Sequence, residues 1–290
     1  MDAKAIAHGT LAALAAGHYT APDGATVPIA ELLATCVSGT RCYDPDDLDA
    51  IAAEVAAQPT TAAETTFSVV NATTLQESAA LVASGQYPRI GVLNFASARH
   101  PGGGFLRGAR AQEESLARSS GLYESLRQCP QFYEFHRAQG TTLYSDHMIY
   151  SPACPVLRSD AGDWLPQPYT VDFITSPAPN VGAVLRNEPA NRARITPTLT
   201  TRAGKILALA AHRQCDALVL GAWGCGVFQN DQATVAAIFA GYLRRGGAYA
   251  GRFRHVSFAV YDSSHARNTY ATFGAHCANL PEGQGAPSRP

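Results

Sequence analysis

Short apolar segments alternate with helical patterns along most of the chain, and this alternation constrains the fold more than any other feature. Runs rich in β-branched and apolar residues occur at 67–70, 90–93, 173–174, 217–220 and 255–261. Between several of them lie amphipathic segments with helix-start signals, such as Thr196-Pro197 and Asn230-Asp231. Strands that alternate with helices form a largely parallel sheet with helices on both faces, so the sequence predicts an α/β fold.

The first sixty-odd residues differ from the rest because they show only helical and loop patterns. We expect helices over Ala3–Ala16 and Asp44–Ala57, and a capping box at Thr74–Glu77 that opens a further helix. The predicted organisation is a helical extension over 1–65 packed on the core, a domain over 66–280, and a Gly- and Pro-rich disordered tail over 281–290.

Composition excludes several classes of protein. The chain has 290 residues, of which 46% are hydrophobic and 16% charged, as in a globular protein with a substantial core. The net charge of -1, without a long basic run, argues against direct DNA binding. Neither a signal-peptide pattern nor a membrane-spanning apolar stretch is present. The seven cysteines include no CxxC pair, so we expect neither a disulfide framework nor a zinc site, and a cytoplasmic location.

Three consecutive glycines, Gly102-Gly103-Gly104, follow the predicted strand that ends at Leu93. Glycines let a backbone adopt positive φ and approach a ligand closely, although a flexible surface loop is an equal interpretation. Gln112-Glu113-Glu114 then fits the first turn of a helix, where carboxylates also stabilise the helix dipole. If both carboxylates act on a substrate their roles must differ, because neighbouring helical residues point roughly 100° apart.

A second glycine-rich segment, Gly221 to Phe228, lies between a predicted strand and the helix start at Asn230. A strand, a glycine-rich turn and a helix start together offer free backbone N–H groups and a helix dipole to a phosphate. The segment matches neither a Walker loop nor a dinucleotide fingerprint. Cys225 fits a small tolerated residue better than a nucleophile, and Phe228 by itself fits the core better than a ligand contact.

Together the two segments resemble the bacterial-type poly(ADP-ribose) glycohydrolases, a macrodomain family with helical additions. The family signature of three glycines, a short spacer and Gln-Glu-Glu is matched by Gly102-Gly103-Gly104, residues 105–111 and Gln112-Glu113-Glu114. The segment Gly221–Phe228 matches the diphosphate loop of macrodomains. The resemblance covers roughly residues 67–273 and implies a macrodomain-like mixed, largely parallel sheet flanked by helices.

The resemblance also implies a role for individual residues. Glu114 is expected as the general acid and base, with Glu113 holding hydroxyls of the terminal ribose. The segment Gly224–Val227 would offer amides to the diphosphate, Phe228 would orient the ribose, and Asn71 to Thr73 would meet the adenine edge. Ser97 departs from the pattern of binding macrodomains, which usually have Asn there, and this leaves the roles of Asn94 and Ser97 open. The residues implied to bind substrate are Asn94, Gly102, Gly103, Gly104, Gln112, Gly224, Cys225, Gly226, Val227, Phe228, Asn71 and Thr73.

The implied activity is hydrolysis of the ribose–ribose bonds of poly(ADP-ribose), acting from chain ends, without metal or cofactor. We expect poly(ADP-ribose), ADP-ribose and ADP-ribosylated proteins as partners of a monomer. Two alternatives stay open. One is a non-catalytic ADP-ribose reader, which would have no need for Gln112-Glu113-Glu114. The other is a hydrolase of mono-ADP-ribosylated side chains or of an ADP-ribose phosphoester.

Overall fold

A computed structural model describes residues 2–60, 64–278 and 280 of the chain, and the predicted tail over 281–290 lies outside them. The helices are α1 (Ala3–Ala16), α2 (Ala30–Gly39), α3 (Pro45–Ala57), α4 (Thr74–Ala83), α5 (Gln112–Ser119), α6 (Leu122–Leu126), α7 (Pro130–Ala138), α8 (Val181–Asn187), α9 (Ile195–His212), α10 (Gln232–Leu243) and α11 (Asn268–Cys277). The strands are β1 (His18–Thr20), β2 (Thr26–Pro28), β3 (Arg41–Tyr43), β4 (Thr66–Val70), β5 (Ile90–Phe95), β6 (Met148–Arg158), β7 (Trp164–Ser176), β8 (Ala217–Gly221) and β9 (His255–Ala259).

The strands form a two-stranded sheet, β1-β2, and a seven-stranded sheet in the order β3-β6-β7-β5-β8-β9-β4. Strands β4 and β8 both pair in parallel with β9, with Thr66 and Ala217 each opposite His255. Strand β6 pairs antiparallel with both β3 and β7. The predicted mixed α/β fold is confirmed.

The contacts of the chain divide it into two compact units. The first unit consists of residues 1–44, 92–140 and 147–177, and the second of residues 45–91, 141–146 and 178–290. The unit boundary at residues 91 and 92 falls inside β5. The domain boundary placed at residue 65 stays a prediction.

In the first unit, α1 is defined at both ends by its own capping groups. The Asp2 side chain accepts a hydrogen bond from the Lys4 amide at 3.2 Å, and Gly17 ends the helix with φ +73°. The carboxyl-terminal turns of α1 contribute Ala13 and Leu14 to an apolar cluster with Tyr19 and other residues that flank the β1-β2 hairpin. Helix α1 is therefore an integral part of this unit.

In the second unit, a row of aromatic rings fills the core behind β8. Phe239 of α10 lies 6.2 Å from Trp223 and 6.3 Å from Phe258, measured between ring centroids, and Phe258 lies 5.9 Å from Phe273. Trp223 belongs to the segment that follows β8 and is 1% exposed, so the start of that segment is fixed in the core. No helix in the described part of the chain is long and apolar enough to cross a membrane.

Several local expectations need correction. The first sixty residues contain three short strands besides their helices. The capping box of α4 is formed by Thr73 and Gln76, one residue earlier than predicted. The sequence did not reveal β6, in which Pro residues and a register shift near Ala153, where φ is +43°, interrupt the strand pattern.

Candidate functional site

The predicted catalytic segment leaves the end of β5 and enters α5, and Gln112 joins the two elements directly. Its side-chain oxygen accepts a hydrogen bond from the Phe95 amide at 2.9 Å, and its side-chain nitrogen donates to the Leu93 carbonyl at 2.8 Å. The predicted helix start at Gln112 is confirmed. Because both groups of its amide bond to the backbone of β5, the side chain of Gln112 fixes where α5 begins.

Glu113, in the first turn of α5, is 2% exposed and held by polar groups of β5 and the loop after it. One carboxylate oxygen accepts from the Asn94 side-chain nitrogen at 3.3 Å and the other from the Ser97 amide at 2.6 Å. The same Asn94 nitrogen donates to the Thr175 hydroxyl at 3.1 Å. Asn94 and Ser97 therefore orient Glu113, Ser97 by its backbone rather than its side chain.

Burial raises the pKa of Glu113 from 4.5 to about 8. Hydrogen bonds from the Ser97 amide, the Asn94 side chain and the Gly102 amide oppose the shift, while the charge of Glu114 adds to it. Desolvation outweighs these hydrogen bonds, so Glu113 is mainly protonated at neutral pH. A neutral carboxyl can donate a hydrogen bond as well as accept one.

Glu114 is half-buried, and its carboxylate lies against the glycine triplet. One of its oxygens accepts from the Gly104 amide at 2.9 Å. Gly103 has φ +58°, and a Cβ placed there would collide with that oxygen and lie 3.2 Å from a carboxylate oxygen of Glu113. The two carboxylates thus converge on one glycine, although their positions on the helix keep them from facing each other.

Gly102 is restricted for a different reason. It has φ +67°, and a Cβ there would lie 2.9 Å from the Phe105 ring and 3.1 Å from Ala117. The glycine triplet therefore fits tightly between the carboxylates of Glu113 and Glu114 and the apolar face of α5. Its role in this structure is close packing, which a flexible surface loop would not require.

The second glycine-rich segment belongs to the second unit and follows β8, as predicted. Gly224 has φ +72°, and a Cβ there would collide with Ala178 and Asn230. The Asn230 side-chain nitrogen donates to the Gly224 carbonyl at 3.0 Å and to the Pro179 carbonyl at 2.8 Å. Asn230 therefore holds the segment in a fixed shape just before α10.

The amides of this segment differ in their availability. The Cys225 amide donates to the Ala222 carbonyl at 3.1 Å, within the segment itself. The amides of Gly226, Val227 and Phe228 donate to no group in the described parts of the chain, and Val227 is 78% exposed. Burial raises the pKa of the Cys225 thiol to about 12, which disfavours the nucleophilic thiolate. The segment can therefore bind an anion through a row of backbone N–H groups.

Phe228 is half-buried, and its ring lies 6.0 Å from the Tyr144 ring, measured between centroids. No local sequence pattern marks Tyr144, which has φ +58°. Arg202, 1% exposed in α9, donates to the Tyr144 carbonyl at 3.3 Å and to Asp146 at 2.9 Å. These contacts position Tyr144 beside Phe228. Arg202 and Tyr144 are 58 residues apart in the sequence, so no local motif encodes their contact.

The side chains of Asn71 and Thr73, predicted near the adenine edge, are bonded to protein groups. Asn71 donates to the Asp262 carbonyl at 3.1 Å and accepts from the Asp262 amide at 2.9 Å. The Thr73 hydroxyl accepts from the Gln76 amide at 3.1 Å and caps α4. Both residues join the end of β4 to its neighbours. The Thr73 backbone is engaged as well, because its amide donates to the Gln76 side chain at 3.0 Å and its carbonyl accepts from the Glu77 amide at 3.0 Å.

A mixed α/β sheet, a glycine loop packed on two glutamates, and an amide-rich loop before a helix define a macrodomain-like glycosidase. Within the described ranges, no group of three or more His, Cys, Asp or Glu residues could hold a metal ion. The family model of the microbial-type poly(ADP-ribose) glycohydrolase catalytic domain matches residues 7–159. The chain belongs to this family.

Solved structures show the same relationship over nearly the whole chain. The crystal structure of poly(ADP-ribose) glycohydrolase from Thermomonospora curvata is 50% identical, with a TM-score of 0.90, and the match covers 94% of this chain and 98% of that one. The same enzyme bound to the inhibitor ADP-HPD matches with 50% identity, a TM-score of 0.87 and the same coverage. The enzyme from Deinococcus radiodurans in complex with ADP-ribose is 42% identical, with a TM-score of 0.79, covering 85% of this chain and 96% of that one. No curated protein sequence matches the chain.

Proposed function

We propose that this glycosidase cleaves the ribose–ribose O-glycosidic bond of poly(ADP-ribose) with Glu114 as its general acid and base. The observation that carries this assignment is the fixed carboxylate of Glu114, which the Gly104 amide holds at 2.9 Å while the residue stays half-buried. Glu113 is 2% exposed and bonded to Asn94 and Ser97, so of the two glutamates it is Glu114 that can reach a substrate oxygen more readily. Family membership supports the reaction, and the geometry supports the choice of residue.

The proposed reaction uses one proton, which Glu114 gives up and recovers. Glu114 protonates the leaving ribose oxygen as the glycosidic bond breaks, and an oxocarbenium-like C1'' centre develops. Glu114 then removes a proton from water as the water oxygen bonds to C1'', which restores the acid. The nearby diphosphate of the substrate stabilises the developing positive charge. Glu113, as a neutral carboxyl, holds ribose hydroxyls and places no negative charge beside the carboxylate that Glu114 becomes when it gives up its proton.

We assign diphosphate binding to the segment after β8. The free amides of Gly226 and Val227 point to this role, and Gly224 shapes the turn by its positive φ. Cys225 contributes through the turn formed by its own amide, and Phe228, supported by Tyr144, orients the terminal ribose. The complexes of related enzymes with ADP-ribose and with ADP-HPD support a ligand of this kind.

The remaining predicted residues take supporting roles in this proposal. Asn94 and Gln112 orient the glutamates rather than contact the reacting bond, and Gly102 to Gly104 form the wall of the ribose site. Asn71 and Thr73 shape the adenine edge. Cleavage from chain ends, ADP-ribosylated proteins as partners, a monomeric state and a cytoplasmic location stay predictions from the sequence.

The test is to incubate the protein with labelled poly(ADP-ribose) attached to a protein and to resolve the products by size. We expect free ADP-ribose from the wild type, and from Glu114→Gln almost no product but retained ADP-ribose binding. Glu134→Gln, an exposed glutamate of α7, is the matched control and should retain full turnover.

Other product patterns identify the alternatives. Intact, bound polymer with the wild type would show a reader rather than a hydrolase. Release of the protein-linked unit alone would show a mono-ADP-ribosyl hydrolase. Early release of long oligomers would contradict cleavage from chain ends, and wild-type turnover by Glu114→Gln would overturn its assignment as the acid.

A further inference from the structure

The backbone between the glycine triplet and α5 has little regular structure of its own. It forms a 3-10 turn over Phe105–Arg107, closed by a hydrogen bond from the Gly108 amide to the Phe105 carbonyl at 3.0 Å. The Ala109 amide reaches back to the Gly104 carbonyl at 3.2 Å. Since Gly104 is the residue whose amide holds Glu114, the position of this turn determines the position of that amide.

Helix α1 covers the outer side of this turn. Ala7 of α1, Phe105 of the turn and Ala117 of α5 form one buried cluster in which each residue is at most 1% exposed. A Cβ added at Gly108, which has φ +88°, would lie 3.2 Å from the side chain of Lys4. Helix and turn are therefore in close contact, and the small side chain of Ala7 permits the approach.

A buried hydroxyl adds a polar link between α1 and α5. Thr10 is fully buried, donates to the Arg118 carbonyl at 2.6 Å and accepts from the Arg158 guanidinium at 2.9 Å. Both hydrogen bonds are buried, and the loss of a partner from a buried polar group is costly. Thr10 therefore fixes the last turn of α5, the helix whose first turn carries Glu114.

The side chain of Arg118 connects α5 to the turn. Its guanidinium donates to the Ala109 carbonyl and, at 3.0 Å, to the Ser115 hydroxyl. It follows Glu114 by four residues along α5, and the opposite charges of the two side chains attract. A single side chain thus contacts the turn and lies one helical turn from the proposed acid.

We propose that α1 is a positioning element of the reaction, acting through Thr10 and Arg118 to hold the Gly104–Ala109 backbone against Glu114. Thr10 and Arg118 are positioning residues, since their side chains bond to protein groups: Thr10 to Arg118 and Arg158, and Arg118 to Ala109 and Ser115. The inference rests on the proposed role of Glu114. It explains why an N-terminal helix belongs to the catalytic part of the chain, which agrees with a family match that begins at Ala7.

Two substitutions of Thr10 separate positioning from simple stability. Thr10→Val keeps the shape and removes the hydroxyl, whereas Thr10→Ser keeps the hydroxyl and removes a methyl group. At a temperature where both variants are folded, we expect kcat on poly(ADP-ribose) to fall about 10- to 100-fold in Thr10→Val, as for a small misplacement of a reacting group. KM should change much less, and Thr10→Ser should keep most of the wild-type kcat.

Leu14→Ala is the control for stability, because Leu14 anchors the other end of α1 in a cluster that does not include the turn. It should lower the melting temperature without the loss of kcat. The proposal is overturned if Thr10→Val has wild-type kcat, or if Thr10→Ser and Leu14→Ala lose kcat to the same extent. If Thr10→Val does not fold, Arg118→Lys provides the same test, since Lys keeps the charge but lacks the guanidinium geometry. Activity retained in Glu114→Gln would instead refute the proposed function itself.

Discussion

Replacing Glu113 by Gln should remove much of the pH dependence of stability between pH 4.5 and about 8. In the unfolded chain this carboxyl loses its proton near its ordinary pKa of 4.5, whereas burial raises the pKa to about 8 in the folded protein. Between these values the folded state binds more protons than the unfolded state. Stability therefore falls as the pH rises through this window and levels off above about pH 8.

The magnitude follows from the distance between the two pKa values. From 4.5 to about 8, at about 1.4 kcal/mol per pH unit, the loss is on the order of 5 kcal/mol. Gln keeps an oxygen that can accept from the Ser97 amide. Rotation of the Asn94 side-chain amide would present to the Gln nitrogen the Asn94 oxygen, which is buried and accepts from no described group in the wild type. The substitution therefore removes the ionisation and retains most of the packing.

Urea unfolding of wild type and Glu113→Gln, measured from pH 5 to pH 9, tests this reasoning. The difference between the unfolding free energies of the two proteins isolates the contribution of Glu113, because histidines and other groups are the same in both. We expect the wild type to lose stability relative to the variant as the pH rises, while Glu134→Gln follows the wild type. Parallel curves for wild type and Glu113→Gln across the range would refute the argument.

Three further predictions concern backbone packing and a buried ion pair. Gly103→Ala should lower kcat by about 100-fold, measured at saturating polymer, because its Cβ displaces the acid. Gly224→Ala should weaken ADP-ribose binding in calorimetry and lower the melting temperature. Gly226→Ala should leave the melting temperature unchanged, because a Cβ at this position would have no described atom within 4 Å. An equal fall in melting temperature in Gly224→Ala and Gly226→Ala would contradict the packing argument. Arg202→Met should lower the unfolding free energy in urea by about 1–3 kcal/mol, because the Leu143 and Tyr144 carbonyls lose a buried donor, whereas Asp146 keeps Lys205 as an ion-pair partner at 3.1 Å. A loss below about 1 kcal/mol would contradict this.

The parts of the site that could be predicted are those encoded within a short stretch of chain. A strand, a glycine-rich turn and a helix start are local patterns, and the structure places such a turn after β5 and after β8. That the side chains of Glu113 and Glu114 point in different directions also follows from helix geometry alone. Family resemblance then added the roles of these residues, which spacing could not supply.

The parts that could not be predicted depend on partners distant in sequence. Arg202 holds Tyr144 across 58 residues, and Thr10 holds Arg118 across 108. The raised pKa of Glu113 results from burial, which the sequence does not display at a charged position. Gln112 differs from these residues because its motif was recognised but its contact was not. It was expected to bind substrate, and its side chain instead bonds to the backbone of β5.

The hydrogen bond between Thr10 and Arg118 also has a consequence for how the enzyme is made. The ribosome adds Thr10 108 residues before it adds Arg118, and at 5–20 residues per second this interval takes roughly 5 to 20 s. During that time α1 exists without the partner that gives its buried hydroxyl a function. The turn beside Glu114 acquires its support only when both segments have emerged and met, so α1 alone cannot place the proposed acid. A nascent chain that ends before Arg118 therefore contains α1 but lacks the contact through which α1 supports this turn.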